Sequence, residues 1–193
     1  MDKKQLILLG GGGHCKSVID AAESAGYTIL GILDKPELVG TRILDYEIIG
    51  VDDDIPQYVE KATFVITVGQ IKSPAIRQKL DGLVKQAGGK LATIVASDAY
   101  VSKYATIEEG TVVMHKAFVN AGAKIGRNCI INTMANIEHD CEVGDFCHIS
   151  TGVMVNGDTK VGQNSFVGSG SVLYNGIAIK EDSIIPAGTV VRK

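Results

Sequence analysis

The 193-residue chain has little net charge and no long apolar run. Its formal net charge is −3 and its lysines and arginines form no cluster, so it has no basic excess to neutralise the phosphates of a nucleic acid or an acidic membrane. The apolar run near the start, Leu6 to Leu9, is too short for a secretory signal or a membrane span. We therefore expect no nucleic-acid partner and no membrane insertion.

Cysteine is also scarce. The four cysteines come without a secretory signal, a combination that indicates reduced thiols and a cytoplasmic protein. By contrast, 45% of the residues are hydrophobic, which is enough for one large domain or two small domains with real cores.

Residues 1–96 alternate strand-like and helix-like segments. Strands are predicted at QLILLG, YTILGILD and ATFVITVG, and helices at HCKSVIDAAESAG and SPAIRQKLDGLVKQAG. The second helix places four apolar residues on one face: Ile76, Leu80, Leu83 and Val84. Strands that alternate with helices favour a parallel sheet with crossover helices. We predict a small, Rossmann-like α/β domain over residues 1–96.

Residues 97–193 follow a six-residue period. Every sixth residue from Val101 onward is Val, Ile or Leu, without an exception over sixteen positions. These positions are Val101, Ile107, Val113, Val119, Ile125, Ile131, Ile137, Val143, Ile149, Val155, Val161, Val167, Leu173, Ile179, Ile185 and Val191. Such a period is typical of a parallel β-helix of hexapeptide repeats. Each unit supplies one strand and one corner of a triangular prism, with the aliphatic residue pointing inward.

A second stripe, every sixth residue from Ala105 to Thr189, holds small residues at thirteen of its fifteen positions. Cys129, Cys141 and Cys147 lie on it, where cysteine acts as a compact hydrophobe. A zinc site in HDCEVGDFCH is disfavoured because Cys141 and Cys147 fall on successive faces of the prism. At about 3.3 Å per residue they are more than about 10 Å apart, too far to share a tetrahedral ion. We predict no metal.

Two segments carry a family resemblance: the opening LGGGGHCK and the stretch IEHDCEVGDFCHIS. With them the chain resembles the bacterial nucleotide-sugar acetyltransferases, the group of the sialic-acid O-acetyltransferase, the UDP-4-amino-sugar N-acetyltransferase of the bacillosamine pathway and the perosamine N-acetyltransferase. The resemblance implies a left-handed β-helix and a homotrimer with active sites between subunits. It also implies acetyl-CoA in a groove between neighbouring β-helices and a nucleotide on the N-terminal domain.

The resemblance makes His139 the general base and Asp140 its acidic partner. His139 follows the inward Ile137 by two residues, so its side chain points away from the core of the prism. An imidazole with a pKa near 6.5 can take a proton from an attacking amine or hydroxyl at neutral pH. The alternative is a solvent-exposed histidine with no role in catalysis.

Four positions match coenzyme contacts in the family: His148, Gly157, Ser169 and Ala187. His148 is expected near the thioester or the pantetheine arm, or else packed at the trimer interface. The amide of Gly157 would stabilise the oxyanion of the tetrahedral intermediate. Otherwise Gly157 is a corner residue that needs a positive φ.

Five positions are expected to bind the nucleotide sugar: Gly12, Gly13, His14, Asp34 and Asn132. A glycine-rich loop between a strand and a helix brings backbone amides and the helix N-terminus close to phosphates. The alternatives are a tight turn without a ligand and an NAD site. Asp34 lies where a ribose-binding acid would, but the loop lacks the third glycine of G-x-G-x-x-G.

The predicted activity is acetyl transfer from acetyl-CoA to the amino group of a nucleotide-linked sugar, expected to be a UDP-4-amino sugar, in bacterial surface-glycan biosynthesis. O-acetylation of sialic acid or a related sugar is the nearest alternative. A zinc enzyme of the γ-carbonic-anhydrase kind is disfavoured because His139 and His148 are nine residues apart, not the eighteen of stacked positions. A non-catalytic trimeric scaffold is a third alternative. His115 matches no functional position and is expected at the surface.

Overall fold

The computed structural model describes residues 5–193, so the first four residues of the predicted N-terminal domain lie outside the described residues. The described chain forms an α/β domain followed by a solenoid of stacked short strands. None of its helices is both long and apolar enough to cross a bilayer.

The α/β domain contains a sheet flanked by two helices. Its elements are β1 (Gln5–Leu9), α1 (Gly13–Ser24), β2 (Thr28–Leu33), β3 (Arg42–Ile43), β4 (Tyr46–Gly50), β5 (Thr63–Ile66) and α2 (Ala75–Gln86), with 3₁₀ turns at Pro36–Leu38 and Asp52–Gln57. The strand order is β3-β4-β2-β1-β5, and only the short edge strand β3 runs antiparallel to its neighbour. The predicted parallel α/β domain is confirmed, and the β3–β4 hairpin is an addition that the sequence analysis did not anticipate.

Helix α2 buries Leu80 and Val84 of its predicted apolar face, and it buries two polar side chains in addition. The side chains it buries are those of Arg77, Leu80, Asp81 and Val84. Ile76, expected among the packed residues, is 61% exposed. The polar residues are buried because α2 also contacts the solenoid, where Arg77 donates to the carbonyl oxygen of Asn128 and Asp81 accepts from the Asn128 side chain.

The solenoid is built from seventeen two-residue strands. They are β6 (Ile94–Val95), β7 (Tyr100–Val101), β8 (Thr106–Ile107), β9 (Val112–Val113), β10 (Phe118–Val119), β11 (Lys124–Ile125), β12 (Ile130–Ile131), β13 (Asn136–Ile137), β14 (Glu142–Val143), β15 (His148–Ile149), β16 (Met154–Val155), β17 (Lys160–Val161), β18 (Phe166–Val167), β19 (Val172–Leu173), β20 (Ala178–Ile179), β21 (Ile184–Ile185) and β22 (Val190–Val191). Each strand pairs in parallel with the strand eighteen residues further on, for example Phe118 with Asn136. Three strands therefore make one coil.

The strands form three faces of a prism. We call them the junction face (β6, β9, β12, β15, β18, β21), the apolar face (β7, β10, β13, β16, β19, β22) and the charged face (β8, β11, β14, β17, β20). The junction face contacts the N-terminal domain through a shared core that includes Val18, Ile94 and Val112. The strand β6 begins at Ile94, so the solenoid starts two residues before 96, the last residue of the predicted first domain.

The six-residue aliphatic stripe fills the interior of the prism, as predicted. Val119, Ile137, Val155 and the other central members are fully buried in one cluster with the small-residue stripe. Together with its hexapeptide repeats, this architecture confirms the predicted left-handed β-helix.

The corners of the solenoid follow a third six-residue period. Left-handed φ values recur at one position of each repeat, and glycine, asparagine or aspartate, the residues that accept this conformation most readily, occupies most of them. Asp140 is one of these, with φ of 59°.

Candidate active site

His139 and Asp140 form a hydrogen-bonded pair on one corner of the prism. This corner, which we call the His139 corner, joins the apolar face to the charged face and lies opposite the junction face. His139 Nδ1 is 2.9 Å from Asp140 Oδ2. Since the carboxylate accepts from Nδ1–H, Nε2 of the neutral ring carries the lone pair. The His139 side chain is 59% exposed, so Nε2 is accessible to a substrate.

Two glycines make room for this pair. A methyl group at Gly157, one coil above His139, would lie 2.7 Å from both Cε1 and Nε2 of the imidazole. A methyl group at Gly122, one coil below, would collide with Oδ1 of Asp140. The His139–Asp140 pair therefore lies in a slot between two positions that lack a Cβ.

Negative charge surrounds His139 and raises its pKa above the ordinary value. The largest contribution is the hydrogen bond to Asp140, and the charges of Asp140, Glu138 and Asp158 act in the same direction. Hydrogen bonds from Asn136 and Asn120 lower the pKa of Glu138, which keeps that carboxyl ionised. This arrangement makes the imidazole a stronger base.

Gly157 has a free donor beside the imidazole. Within residues 5–193 its N–H donates no hydrogen bond, while its carbonyl accepts one from Gly176 N at 3.0 Å. The corner residue with a positive φ is Asp158, not Gly157. The alternative explanation, that Gly157 is needed for its backbone conformation, therefore does not hold. The close approach of the imidazole is the physical reason for a glycine.

The predicted nucleotide site is a cavity of about 660 Å³ in the N-terminal domain. Four predicted residues line it: Gly12, Gly13, His14 and Asp34. The Asp34 carboxylate accepts hydrogen bonds from the backbone N–H groups of Gly11 and Lys35. The segment after β5 contributes Thr67 to the lining, and helix α2 contributes Ile76 and Lys79. The exposed Ile76 thus belongs to this cavity.

His14 is a neutral histidine at the inner end of the cavity. Burial, followed by the charge of Arg77, lowers the pKa of His14 to about 4. Its Nε2 is buried and has no partner in the described chain. Its ring lies 6.4 Å from that of His148, measured between centroids.

His148 lies at the junction between the two domains. Its Nδ1 is 2.6 Å from the carbonyl oxygen of Gln70, and its Nε2 is 3.0 Å from Asn132 Nδ2. Burial lowers the pKa of His148 to about 4, so the ring is neutral, with a proton on Nδ1. Both ring nitrogens are therefore already bonded within the chain. The surface against which it packs is its own N-terminal domain.

Asn132, Ser169 and Ala187 share another corner, between the junction face and the apolar face, which we call the Asn132 corner. Ser169 Oγ lies 2.9 Å from Ser150 Oγ, and Ala187 is exposed. The structure therefore brings Asn132 and His148 close to the nucleotide cavity, and it places His139, Asp140 and Gly157 at a different corner. The predicted site residues form two groups within one chain.

The polar contacts that join the domains were not predicted from the sequence. His115, expected at the surface, bridges them: its Nδ1 is 2.6 Å from Asp98 Oδ1 and its Nε2 is 3.3 Å from Asp20 Oδ2. Gln70 and Arg77 are also buried at the junction. No motif marks these residues. The one available signal is a pair of polar residues inside otherwise apolar segments.

The cysteines are buried and unpaired, in agreement with their predicted packing role. Among residues 5–193 no three histidine, cysteine or acidic side chains converge closely enough to hold a metal ion.

Two family models match the chain. The PglD N-terminal domain matches residues 5–80, and the bacterial transferase hexapeptide repeat matches residues 122–157 and 158–193. No curated protein matches the chain.

Solved structures match nearly the whole chain. A perosamine N-acetyltransferase from Caulobacter crescentus, a histidine-to-asparagine mutant in complex with CoA and GDP-perosamine, is 32% identical with a TM-score of 0.91, and the match covers 98% of this chain and 89% of that one. The acetyltransferase domain of PglB from Neisseria gonorrhoeae, in complex with acetyl coenzyme A, is 29% identical with a TM-score of 0.89, covering 98% and 93%. WeeI from Acinetobacter baumannii is 17% identical with a TM-score of 0.64 and shares the fold.

The fold and the His139 corner define a hexapeptide-repeat acyltransferase. With the N-terminal domain and these relatives, the chain belongs to the nucleotide-sugar acetyltransferase family, as the sequence resemblance predicts.

Proposed function

We propose that the protein transfers the acetyl group of acetyl-CoA to an amino group on a nucleotide-linked sugar, in bacterial surface-glycan biosynthesis. The observation that carries this proposal is the exposed His139–Asp140 pair beside the unbonded N–H of Gly157. The relatives support the two substrates, since one is named for CoA and GDP-perosamine and another for acetyl coenzyme A.

In the proposed reaction the sugar amine attacks the thioester carbonyl, and Nε2 of His139 takes a proton from the amine nitrogen. The new C–N bond forms while the carbonyl oxygen becomes an oxyanion. In this proposal the Gly157 N–H donates a hydrogen bond to this oxygen. The C–S bond then breaks, and the imidazolium returns its proton to the departing sulfur, so that coenzyme A leaves as a thiol.

Asp140 serves this reaction in two ways. Its hydrogen bond to Nδ1 holds the tautomer that leaves Nε2 unprotonated, and its charge stabilises the imidazolium that forms during the attack. Glu138, which is held ionised by two asparagines, adds to the second effect.

The active site is proposed to lie between subunits of a homotrimer. Neighbouring corners of the prism are roughly 15–20 Å apart at ~3.3 Å per residue, so a sugar bound in one chain's cavity does not reach that chain's own His139. The apolar face supports the assembly, since it exposes Tyr100, Met154 and Val190, with Tyr104 and Met134 at its edges. A neighbour packed on this face would bring its Asn132 corner close to the His139 corner.

The remaining site residues keep their predicted roles in this proposal. Gly12, Gly13, His14 and Asp34 bind the nucleotide, and Asn132 contacts the sugar. His148, Ser169 and Ala187 contact the coenzyme, which for His148 requires its hydrogen bond with Asn132 to be exchanged while the bond to Gln70 is kept. The N-terminal domain thus binds the nucleotide sugar and the β-helix binds acetyl-CoA, in a cytoplasmic enzyme.

The test is release of free coenzyme A from acetyl-CoA across a panel of UDP-, GDP- and CMP-linked amino sugars, with mass spectrometry of the product. We expect transfer to an amino sugar and a His139→Ala variant that folds but loses most turnover. Transfer only to sugars without an amino group would replace N-acetylation by O-acetylation. Full activity of His139→Ala would remove this residue from the mechanism.

A further inference from the structure

Besides the shared apolar core on the junction face, polar side chains of the N-terminal domain contact the solenoid along the corner between the charged face and the junction face. Three polar side chains make one contact each with three successive coils. Arg77 Nη2 donates to Asn128 O at 3.0 Å, Gln70 Nε2 donates to Phe146 O at 2.6 Å, and Gln78 Nε2 donates to Asn164 Oδ1 at 3.0 Å. The accepting residues are eighteen positions apart, so they repeat at the ~4.8 Å rise of one coil. The three contacts therefore run parallel to the solenoid axis, one on each coil.

Two of these contacts hold the segment that forms a wall of the nucleotide cavity. This segment follows β5, and its residues Thr67, Val68 and Gly69 line the cavity. Arg77 Nη1 donates to Val68 O at 2.7 Å and to Ile66 O at 3.0 Å, while its other nitrogen bonds the solenoid. A single buried guanidinium therefore links the cavity wall to the β-helix.

Gln70 makes the second link between the cavity wall and the β-helix, through both its main-chain carbonyl and its side-chain amide. Its carbonyl oxygen accepts from His148 Nδ1 at 2.6 Å, and its side chain donates to Phe146 O at 2.6 Å. Gln70 is only 3% exposed. Cutting these bonds leaves the cavity itself held together, because Thr67 is bonded within the N-terminal domain to Leu9 O and Gly10 O.

We infer that Gln70 is a positioning residue for the transfer reaction, and that Arg77 and His148 act with it. This inference rests on the proposed function. The bound nucleotide sugar moves with the cavity wall, whereas the position of every His139 is set by packing of the solenoids. The hydrogen bonds of Gln70 fix one relative to the other and so determine where the acceptor nitrogen arrives. Gln70 acts through the orientation of the domain and touches neither substrate.

The test compares Gln70→Met with two controls. Gln78→Met removes an interdomain hydrogen bond from the same type of side chain, here an exposed bond to the Asn164 side chain one coil further on and away from the cavity wall. Val161→Ala removes buried volume on the charged face and so lowers stability without touching the junction. The measurements are kcat, the affinity for UDP and GDP by calorimetry, and hydrogen exchange of the main chain over residues 66–71 and 146–149.

For Gln70→Met we expect kcat to fall roughly 5- to 50-fold, since one lost hydrogen bond and a displacement of up to about 1 Å are involved. Nucleotide affinity should change less than about twofold, because a hydrogen bond that does not touch the nucleotide leaves its contacts in place. Exchange should accelerate in both segments. The two controls should keep the wild-type kcat and the wild-type exchange of these segments.

Three results would overturn the inference: an unchanged kcat, a loss of nucleotide affinity in step with kcat, or an equal loss of kcat in Val161→Ala. If the wild-type protein transferred acetyl to no acceptor, the proposed function would fail instead. The hydrogen-exchange data would then be the only test of this inference. Equal exchange rates of residues 66–71 and 146–149 in Gln70→Met and Gln78→Met would refute it.

Discussion

The substitution Gly157→Ala gives a direct test of the slot that holds His139. The φ of Gly157 lies outside the left-handed region, so alanine fits the backbone. Its methyl group, however, would lie 2.7 Å from Cε1 and Nε2 of the imidazole, where an ordinary contact needs at least 3.4 Å. Because the ring is exposed, it can rotate away by about 0.7 Å or more, and the 2.9 Å bond to Asp140 is then stretched or lost.

The variant keeps the backbone N–H at position 157, so it separates the position of the base from the donor to the oxyanion. A displacement close to 1 Å in a catalytic group lowers kcat by about 10- to 100-fold. Complete removal of the base in His139→Ala sets the limit, at about 10²- to 10⁴-fold. We expect Gly157→Ala to lie between wild type and His139→Ala, with little change in melting temperature.

Two further glycines serve as controls for Gly157→Ala in a coenzyme A release assay. A methyl group at Gly82, on helix α2, meets nothing within 4 Å, so Gly82→Ala should keep full activity and add about 1 kcal/mol of stability. A methyl group at Gly144 would lie 2.6 Å from the backbone nitrogen of Gln163, so Gly144→Ala should lower the melting temperature. Wild-type activity in Gly157→Ala would refute the slot, and so would a melting temperature as low as that of Gly144→Ala.

Three more predictions concern protonation and burial. Because Asp140 raises the pKa of His139 above 6.5, the rate of acetyl transfer should fall as the pH drops below that raised value. Asp140→Asn should shift this limb of the pH–rate profile to lower pH and reduce the plateau. An unshifted limb would show that Asp140 does not control the pKa of His139. All four cysteines are buried, and burial raises the pKa of Cys15 to about 11. A disulfide reagent should therefore titrate no thiol in the folded protein and four thiols after denaturation. Rapid reaction of the folded protein would contradict the burial of the cysteines. His14 and His148 have a pKa of about 4 in the folded chain, against 6.5 for the ordinary side chain. Between these pH values the unfolded chain binds more protons than the folded chain. The free energy of unfolding should therefore fall as the pH drops from 6.5 to 4. The loss of unfolding free energy that comes from His148 is on the order of 3 kcal/mol. Urea unfolding at several pH values should show that stability depends less steeply on pH in His148→Gln than in the wild type. An equal pH dependence in that variant would contradict the prediction.

The solenoid was predictable because its rule is local. Each coil needs an aliphatic residue at one position of every six, and the sequence has one at each of these positions from Val101 to Val191. The small residues follow with the same period because they lie in the same narrow interior. A third period, of glycine, asparagine and aspartate at left-handed corners, was equally available and marks Asp140 as a corner residue.

The junction was not predictable because its partners are distant in sequence. Gln70 and Phe146 are 76 residues apart, and Gln70 and His148 are 78 apart. Gln70 belongs to no motif, and the apolar pattern of α2 pointed to Ile76 where the packed residue is Arg77. Hydrogen bonds to main-chain carbonyls leave no periodic trace, because a carbonyl is present at every residue.

For the His139–Asp140 pair, too, one part of the arrangement was predictable from the sequence and another part was not. The sequence by itself determined that His139 and Asp140 lie on an outward corner, since the phase of the stripe fixes which residues point away from the core. Only the tertiary structure decided that the imidazole rests on Gly157, that Asp140 orients it, and that the nucleotide cavity faces another corner. Periodicity sets the direction of each side chain along a coil, whereas stacking of coils and docking of a second domain set its neighbours.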